Sequence, residues 1–316
     1  MIPGIVRGNI TLLLAFLGCT ENLLVVVVVA TKRRLHTMHF FLLANLSLSD
    51  SAFYISTTFV GVSQISEEWI FGETWCKATS YLLRCFTLTT IILLCAVTWE
   101  CHTAVVKPYQ FRNDITLEKV TAVVLLWIAS LVFGAAQFFS GTGGFTYNDK
   151  MYHCERRYIS YNGTIIREFV SIFIFYVIPF GLMGKQQYQI NRIAKHQKTK
   201  IAQQQLVVNP KSHEGHQHQR FMQNIKESKD ALLIVTAFLV SYLPLFVSRC
   251  LRVLLAESDA LYNTWFLAMA LTQVGSTWNP IIHCFRKRAF RREFFKFLNL
   301  NTSTVSPLIQ MNQSQK

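Results

Sequence analysis

The apolar residues of this chain gather into seven long runs separated by short polar segments. The runs are Ile10–Thr31, His39–Val62, Trp75–Val106, Val120–Gly141, Glu168–Ile190, Asp230–Leu254 and Tyr262–Cys284. About 20 mostly apolar residues in a helix cross the hydrocarbon core of a bilayer, and every run reaches that length. Membrane barrels need short strands of alternating polarity. Stretches such as Val25–Val29 are continuously apolar, so the pattern predicts helices, which satisfy all their backbone groups internally. After the seventh run, Phe285, Phe290, Phe294, Phe295 and Leu298 recur at helical spacing among Arg286, Lys287, Arg288, Arg291 and Arg292. That is the pattern of a short amphipathic helix on an anionic membrane surface. The expected fold class is an all-α membrane protein, a seven-transmembrane helix bundle with a short amphipathic eighth helix. Its expected parts are a short outer N-terminus (1–9), the membrane domain (10–284), the surface helix (285–300) and a disordered cytoplasmic tail (301–316).

Charge sets the orientation. Most of the 31 Lys and Arg lie on one side of the runs: Lys32, Arg33 and Arg34; Lys107, Arg112 and Lys119; the segment from Lys185 to Lys229; and the segment from Arg286 onward. The positive-inside rule then places the N-terminus outside and the C-terminus in the cytosol of a multi-pass plasma-membrane protein. The first run is expected to serve as its own insertion signal. With 51% hydrophobic and only 15% charged residues, a disordered chain is excluded. The net charge of +14 reflects this asymmetry. Its basic residues fall in separate short loops, so the lipid bilayer is an expected partner and nucleic acid is not. The outer segment from Thr142 to Arg167 reads as an irregular loop, in which Asn162-Gly-Thr is a glycosylation acceptor. The inner segment from Asn191 to Lys229, with His213, His216 and His218, reads as a polar loop. No nucleophile–base pair, phosphate loop or metal-ligand spacing is present, so no enzymatic activity is expected.

Polar groups inside the runs are the candidates for function, because ionisable side chains are costly there. Asp50 lies in the middle of the second run, and Asn22, Thr90, Ser276 and Asn279 can surround it. A carboxylate ringed by neutral oxygens suits a small cation, with an allosteric sodium ion the candidate, or a proton; a neutral Asp50 that only ties helices together is the alternative. No other cofactor is expected. Arg84 in the third run and Arg249 in the sixth suit an anionic ligand, with Gln137, Tyr242 and Gln273 completing a polar floor. The rival reading has Arg249 snorkelling to the interface and Arg84 paired with Glu168. Cys76 and Cys154 both lie on the outer side, where an oxidising compartment allows a disulfide.

Several residues appear in the order and spacing of a known family. Asn22 is followed by Leu-Leu-Val; Leu46-Ser-Leu-Ser precedes Asp50; Trp69-Ile-Phe-Gly precedes Cys76. Trp127, Pro179, Phe238 with Pro244, and Asn279-Pro-Ile-Ile-His283 follow in turn. The chain resembles rhodopsin-like (class A) G-protein-coupled receptors over almost its full length. Leu35 through Leu42 is similar to the second-helix entry of olfactory and melanocortin receptors, and Glu21-Asn22 to the melanocortin and cannabinoid group. The resemblance implies a Cys76–Cys154 disulfide, a heterotrimeric G protein as partner and an extracellular ligand. Amine receptors of this family carry an acid where this chain has Leu83, and opsins carry the retinal lysine where it has Gln273. Aminergic and light-sensing roles are therefore not expected.

The G-protein-facing switch departs from the family pattern. The triplet that reads acid-Arg-Tyr in the family is Glu100-Cys101-His102 here, and the tyrosine of the seventh-helix motif is His283. Tyr242 stands at the usual tryptophan position, and Asn224 where an acid would hold the missing arginine. The expected function is signal transduction from an extracellular ligand of unknown identity, such as an anionic small molecule, lipid or peptide. The alternative is a receptor-like protein with weak or absent G-protein coupling. A transporter or channel is the third reading, against which the two halves show no inverted repeat.

Overall fold

The computed structural model describes residues 2–107, 111–139, 145–156, 169–204, 213–255, 258–286 and 288–298. Seven long helices form the bundle: α1 (Gly4–Thr31), α2 (Met38–Ser66), α3 (Glu73–Val106), α4 (Leu117–Phe139), α5 (Ile178–Gln204), α6 (His213–Leu254) and α7 (Asp259–Arg286). A π-helical turn, Phe173–Val177, leads into α5, and the short helix α8 (Arg288–Phe297) follows α7. Strands β1 (Phe145–Asn148) and β2 (His153–Arg156) form an antiparallel hairpin after α4, with Tyr147 opposite Cys154.

Local chemistry explains the helix ends. Pro3 stands at the N-cap of α1, and its carbonyl accepts the amides of Val6 and Arg7. The chain leaves α2 through Glu67 at φ 56° and enters α3 through Gly72 at φ 79°, a left-handed conformation that glycine adopts without a Cβ penalty. Trp69 Nε1 donates to the Gly72 carbonyl at 2.8 Å and holds that turn. Glu73 in the first turn of α3 complements the helix dipole.

Large apolar side chains face outward on the bundle, among them Phe16 of α1, Val132 of α4, Val240 of α6 and Leu267 of α7. Such a belt is stable only against lipid. Four helices are apolar enough to cross a membrane on length and composition alone: α1, α3, α4 over Leu117–Ala135 and α6 over Val235–Arg252. Helix α2 has the length but directs Ser47, Ser49, Asp50, Ser51, Ser56, Thr57, Ser63 and Gln64 into the bundle, which dilutes its average apolarity. Helix α7 likewise buries Thr272, Gln273 and Ser276.

The main core lies toward the α8 end, where Leu42, Leu43 and Leu46 of α2 meet Leu93, Leu94 and Val97 of α3. Phe238 and Tyr242 of α6 stack in it with ring centroids 3.8 Å apart. Helix α8 docks through Phe290, which stacks on Phe40 at 6.3 Å, and through the Arg34–Glu293 ion pair at 3.5 Å.

Three boundaries differ from the sequence expectation. Helix α1 starts at Gly4 rather than near Ile10, because Arg7 is buried against polar partners instead of facing water. The expected inner loop from Asn191 to Lys229 is largely helical: α5 runs on to Gln204 and α6 begins at His213. Helices projecting beyond a bilayer carry only a sparse apolar face, here Ile190 and Ala194 of α5 against Ile225 of α6 and Val105 of α3. The expected irregular outer loop contains the β1–β2 hairpin. The acceptor Asn162 lies outside the described residues, as does the tail.

Candidate functional site

A cavity of about 370 Å³ opens beneath the hairpin, between α1, α2, α3, α6 and α7. The hairpin is the lid, and its fastenings define the site. The Cys76–Cys154 disulfide ties β2 to the start of α3, with the two Cα atoms 5.5 Å apart. Ser80, one helical turn further along α3, donates to the Cys154 carbonyl. Asn148 Oδ1 accepts the amides of Lys150 and Met151 at 3.0 and 3.1 Å, which shapes the hairpin turn. From α1, Arg7 donates to the Lys150 carbonyl at 3.1 Å and to Asn263 Oδ1 of α7 at 2.9 Å. From α6, Arg252 donates to Glu155 Oε2 at 2.7 Å.

Apolar walls from Phe53, Leu83, Leu245, Trp265 and Phe266 surround a strongly basic interior. Arg7, Arg84, Arg249 and Arg252 all line the cavity, and Glu155 is the one acid among its described lining residues. The Arg249 and Arg252 guanidiniums lie over the Trp265 ring at 5.9 and 5.0 Å, which fixes their planes by cation–π attraction. Two of the sequence-predicted arginines, Arg84 and Arg249, thus share one cavity with Gln273. Tyr242 sits beneath the cavity, stacked on Phe238, with its hydroxyl beside Ser276 and the lining residue Thr87. An aromatic ring at that helical position packs inward because α6 turns its Phe238–Tyr242 face to the core. Gln137 lies on α4, and its side chain is outside the described residues, as is Glu168. Sequence reasoning missed Arg7 and Arg252, since both look like ordinary helix-end charges until the hairpin folds between them.

Two titratable groups on β2 respond to this lid. Desolvation pushes the pKa of His153 below its ordinary value; Glu155 and the bond from Nδ1 to the Met151 carbonyl oppose this, while Arg252 and Arg84 add to it. Desolvation raises the Glu155 pKa, but Arg252 and His153 outweigh it and hold the carboxyl below its ordinary value. Both depressions mean that the fold favours the deprotonated forms. The His153 contribution is complete above its ordinary value of about 6.5 and is lost as pH falls through the lower folded value. The Glu155 contribution is lost later, below the ordinary carboxylate range. Purified protein is therefore expected to melt at a lower temperature at pH 5.5 than at pH 7.5. His153→Gln should flatten that dependence, and an unchanged pH slope in the variant would remove His153 from the account.

Below the cavity, Thr90 Oγ1 donates to Asp50 Oδ1 at 2.8 Å and lies 3.2 Å from the Ser49 hydroxyl. Ser276 sits beside the hydroxyls of Tyr54 and Tyr242. Tyr54 donates to the Gln273 carbonyl and so links α2 to α7. Asn22 instead donates to the Gly18 carbonyl of its own helix at 2.8 Å. The Asn279 side chain is outside the described residues. The structure thus brings Asp50 and Thr90 together directly and leaves the Asn22 amide turned to its own helix.

At the α8 end, the altered triplet divides among three surroundings. Glu100 Oε2 meets Nδ1 of His39, from the first turn of α2, at 2.9 Å. Cys101 packs into the main core. His102 Nε2 pairs with Gln189 Oε1 of α5 at 2.6 Å. The side chains of Asn224 and His283 lie outside the described residues. His39 was not singled out in the sequence, and its signal was only its place among apolar residues at a helix start.

The family profile described as the 7 transmembrane receptor (rhodopsin family) matches residues 21–283. Trace amine-associated receptor 8b of Rattus norvegicus is 26% identical over 303 residues, covering 92% of this chain and 87% of that receptor. A melanopsin-like protein of Danio rerio is 24% identical over 242 residues, covering 75% of this chain and 47% of its own length. Among solved structures, squid rhodopsin superposes with a TM-score of 0.81 at 18% identity, covering 95% of this chain and 87% of that one. With the profile matched from the first helix to the last turn of the seventh, the chain belongs to the rhodopsin family of seven-transmembrane receptors.

Proposed function

We propose that the protein is a plasma-membrane receptor that takes an anionic ligand beneath its β-hairpin and signals through the α8 end to a heterotrimeric G protein. In this reading the hairpin end faces outside and the C-terminus is cytosolic, as the basic loops around Arg33 and Lys119 favour. The observation that carries the ligand class is the charge of the cavity. Four arginines line it against one glutamate among its described lining residues, and that glutamate is bonded to Arg252. In a low-dielectric pocket such an excess favours a carboxylate or phosphate, which offsets desolvation with charge-assisted hydrogen bonds. A protonated amine, the ligand type in the name of the trace amine-associated relatives, would meet like charge here, and Leu83 replaces the acid that an amine would need.

A second reading, ligand binding with weak coupling, rests on Glu100 being engaged by His39 while Cys101 stands in the core. One experiment addresses both. Matched alkyl carboxylates, alkyl phosphates and alkylamines are screened for thermal stabilisation of the purified protein, and hits are then tested for nucleotide exchange on G proteins. Stabilisation by anions is expected, and Arg84→Gln or Arg249→Gln should each weaken it by about 1.5–3 kcal/mol, roughly 10–150-fold in affinity. Stabilisation by amines alone, insensitive to both substitutions, would dismiss the anion pocket. Binding without nucleotide exchange would select the second reading.

A further inference from the structure

The inner ends of α2 and α3 bring together three side chains of the kinds that bind zinc. His39 Nδ1 and Glu100 Oε2 are 2.9 Å apart, Cys101 Sγ is 3.9 Å from the same carboxylate oxygen, and all three ligand atoms lie within 4.8 Å of one another. Around a tetrahedral zinc ion, bonds of about 2.0–2.3 Å place neighbouring ligand atoms roughly 3.3–3.8 Å apart. The observed triangle brackets that range, so rotamer adjustments alone would seat the ion. We propose that His39, Glu100 and Cys101 form a zinc site with a water in the fourth position.

Three features favour zinc over other occupants. The donor set joins imidazole, carboxylate and thiolate, which suits zinc and disfavours magnesium or calcium, whose ligands are oxygens. The charges balance: Zn²⁺ with a thiolate, a carboxylate and a neutral imidazole sums to zero. A neutral assembly is the one a buried site tolerates, and His39, Glu100 and Cys101 are all buried. The ligands stand on rigid supports as well. The Met38 amide donates to the Asn113 carbonyl at 2.9 Å and the His39 amide to Asn113 Oδ1 at 3.4 Å, which pins the start of α2 to the segment between α3 and α4. Neighbours on a helix diverge by about 100°, yet the Cys101 thiol comes within 3.9 Å of the Glu100 carboxylate.

Binding releases the thiol proton, so affinity rises with pH. The ion would cross-link α2 and α3 where the rhodopsin family places its acid-Arg-Tyr triplet. This inference is independent of the nature of the outer ligand.

The test uses the full chain, chelator-washed in detergent, with Co²⁺ as the spectroscopic probe. A thiolate-to-cobalt charge-transfer band in the near ultraviolet, with the intense visible bands of a four-coordinate ion and bleaching by Zn²⁺, is expected. Cys101→Ser should abolish the charge-transfer band. His39→Gln should weaken binding beyond the roughly 10–100-fold that loss of an outer-shell partner costs. The histidines at 213, 216 and 218 would bind cobalt without a sulfur band, so the spectrum separates them. A missing band in the wild type, or a band that survives Cys101→Ser, overturns the proposal. Should either variant fail to fold, zinc-edge X-ray absorption on the wild-type protein decides. One sulfur at about 2.3 Å with nitrogen and oxygen near 2.0–2.1 Å supports the site, and a shell of nitrogen and oxygen alone overturns it.

Discussion

Cys76→Ser is expected to remove most of the protein from the cell surface and to lower the melting temperature of what remains. The bond closes a 78-residue segment. The chain-entropy estimate for a loop of that length is about 4.5 kcal/mol, set against a total stability of roughly 5–15 kcal/mol for a folded domain. That estimate is an upper bound here, because α3 and α4 stay helical in a bilayer after the bond is cut. The larger consequence is local. Strands β1 and β2 are four residues each, and a two-stranded hairpin is marginal by itself. Without the bond it is held by polar contacts from Ser80, Arg7 and Arg252, each a net gain of only about 0.5–3 kcal/mol, and by the packing of Met151 against Leu245, Tyr262 and Trp265. The lid should therefore open and expose the basic cavity. Surface labelling and thermal unfolding measure the two effects. Cys154→Ser should reproduce both, and the double variant should be no worse than either single one. Equal surface levels and equal melting in wild type and Cys76→Ser would refute a structural role for the bond.

The helices were legible because a bilayer imposes a simple rule. Any segment that crosses it must be about 20 residues long and apolar on its lipid side. Runs such as Ile10–Thr31 obey that rule without reference to any neighbour. The hairpin obeyed no such rule. Phe145–Asn148 and His153–Arg156 alternate too briefly to register, and their pairing depends on a disulfide to a helix that lies far away in sequence. The helical segments below the membrane were hidden for the opposite reason. Residues 213–229 are helical but rich in polar residues, with Phe221, Met222 and Ile225 too few to set a clear period.

The site divides along the same line. Arg84, Arg249 and Gln273 could be placed in one cavity by counting helical turns from the membrane surface, and they line it together. Arg7 could not, because its burial depends on Asn263 of α7 and on a backbone carbonyl in the hairpin. The stacking of Tyr242 on Phe238 beneath the cavity was not legible, because sequence gives the height of a residue on a helix and not the rotation of that helix. The same limit applied to Asn22, whose amide serves the Gly18 carbonyl one turn away, and to His39, whose partner Glu100 is 61 residues distant.

Gly18 is a point at which two helices meet with no room to spare. A Cβ on Gly18 would lie only 2.1–2.6 Å from three ring carbons of Tyr54, so α1 and α2 approach each other there as closely as backbone and ring allow. Small residues at helix contacts are the usual means of close packing in a membrane, where no hydrophobic effect drives helices together. Tyr54 has nowhere to retreat. It is fully buried, its ring lies edge-on to Phe53 at 5.8 Å, and its hydroxyl donates to the Gln273 carbonyl of α7. Gly18→Ala is therefore expected to cost about 1–3 kcal/mol by overpacking, with Gly18→Val at or beyond the upper end. Gly184 of α5 supplies the control, because nothing lies within 4 Å of a Cβ built there. Gly184→Ala should be neutral or stabilising by up to about 1 kcal/mol, the helix-propensity difference between the two residues. Tyr54→Leu relieves the collision, so its combination with Gly18→Ala should cost less than the sum of the single changes, whereas Tyr54→Phe keeps the ring and should give no relief. Thermal unfolding of the purified variants reads all of these. Strictly additive costs for Gly18→Ala and Tyr54→Leu would mean that the α1–α2 contact at Gly18 does not limit how closely the two helices pack.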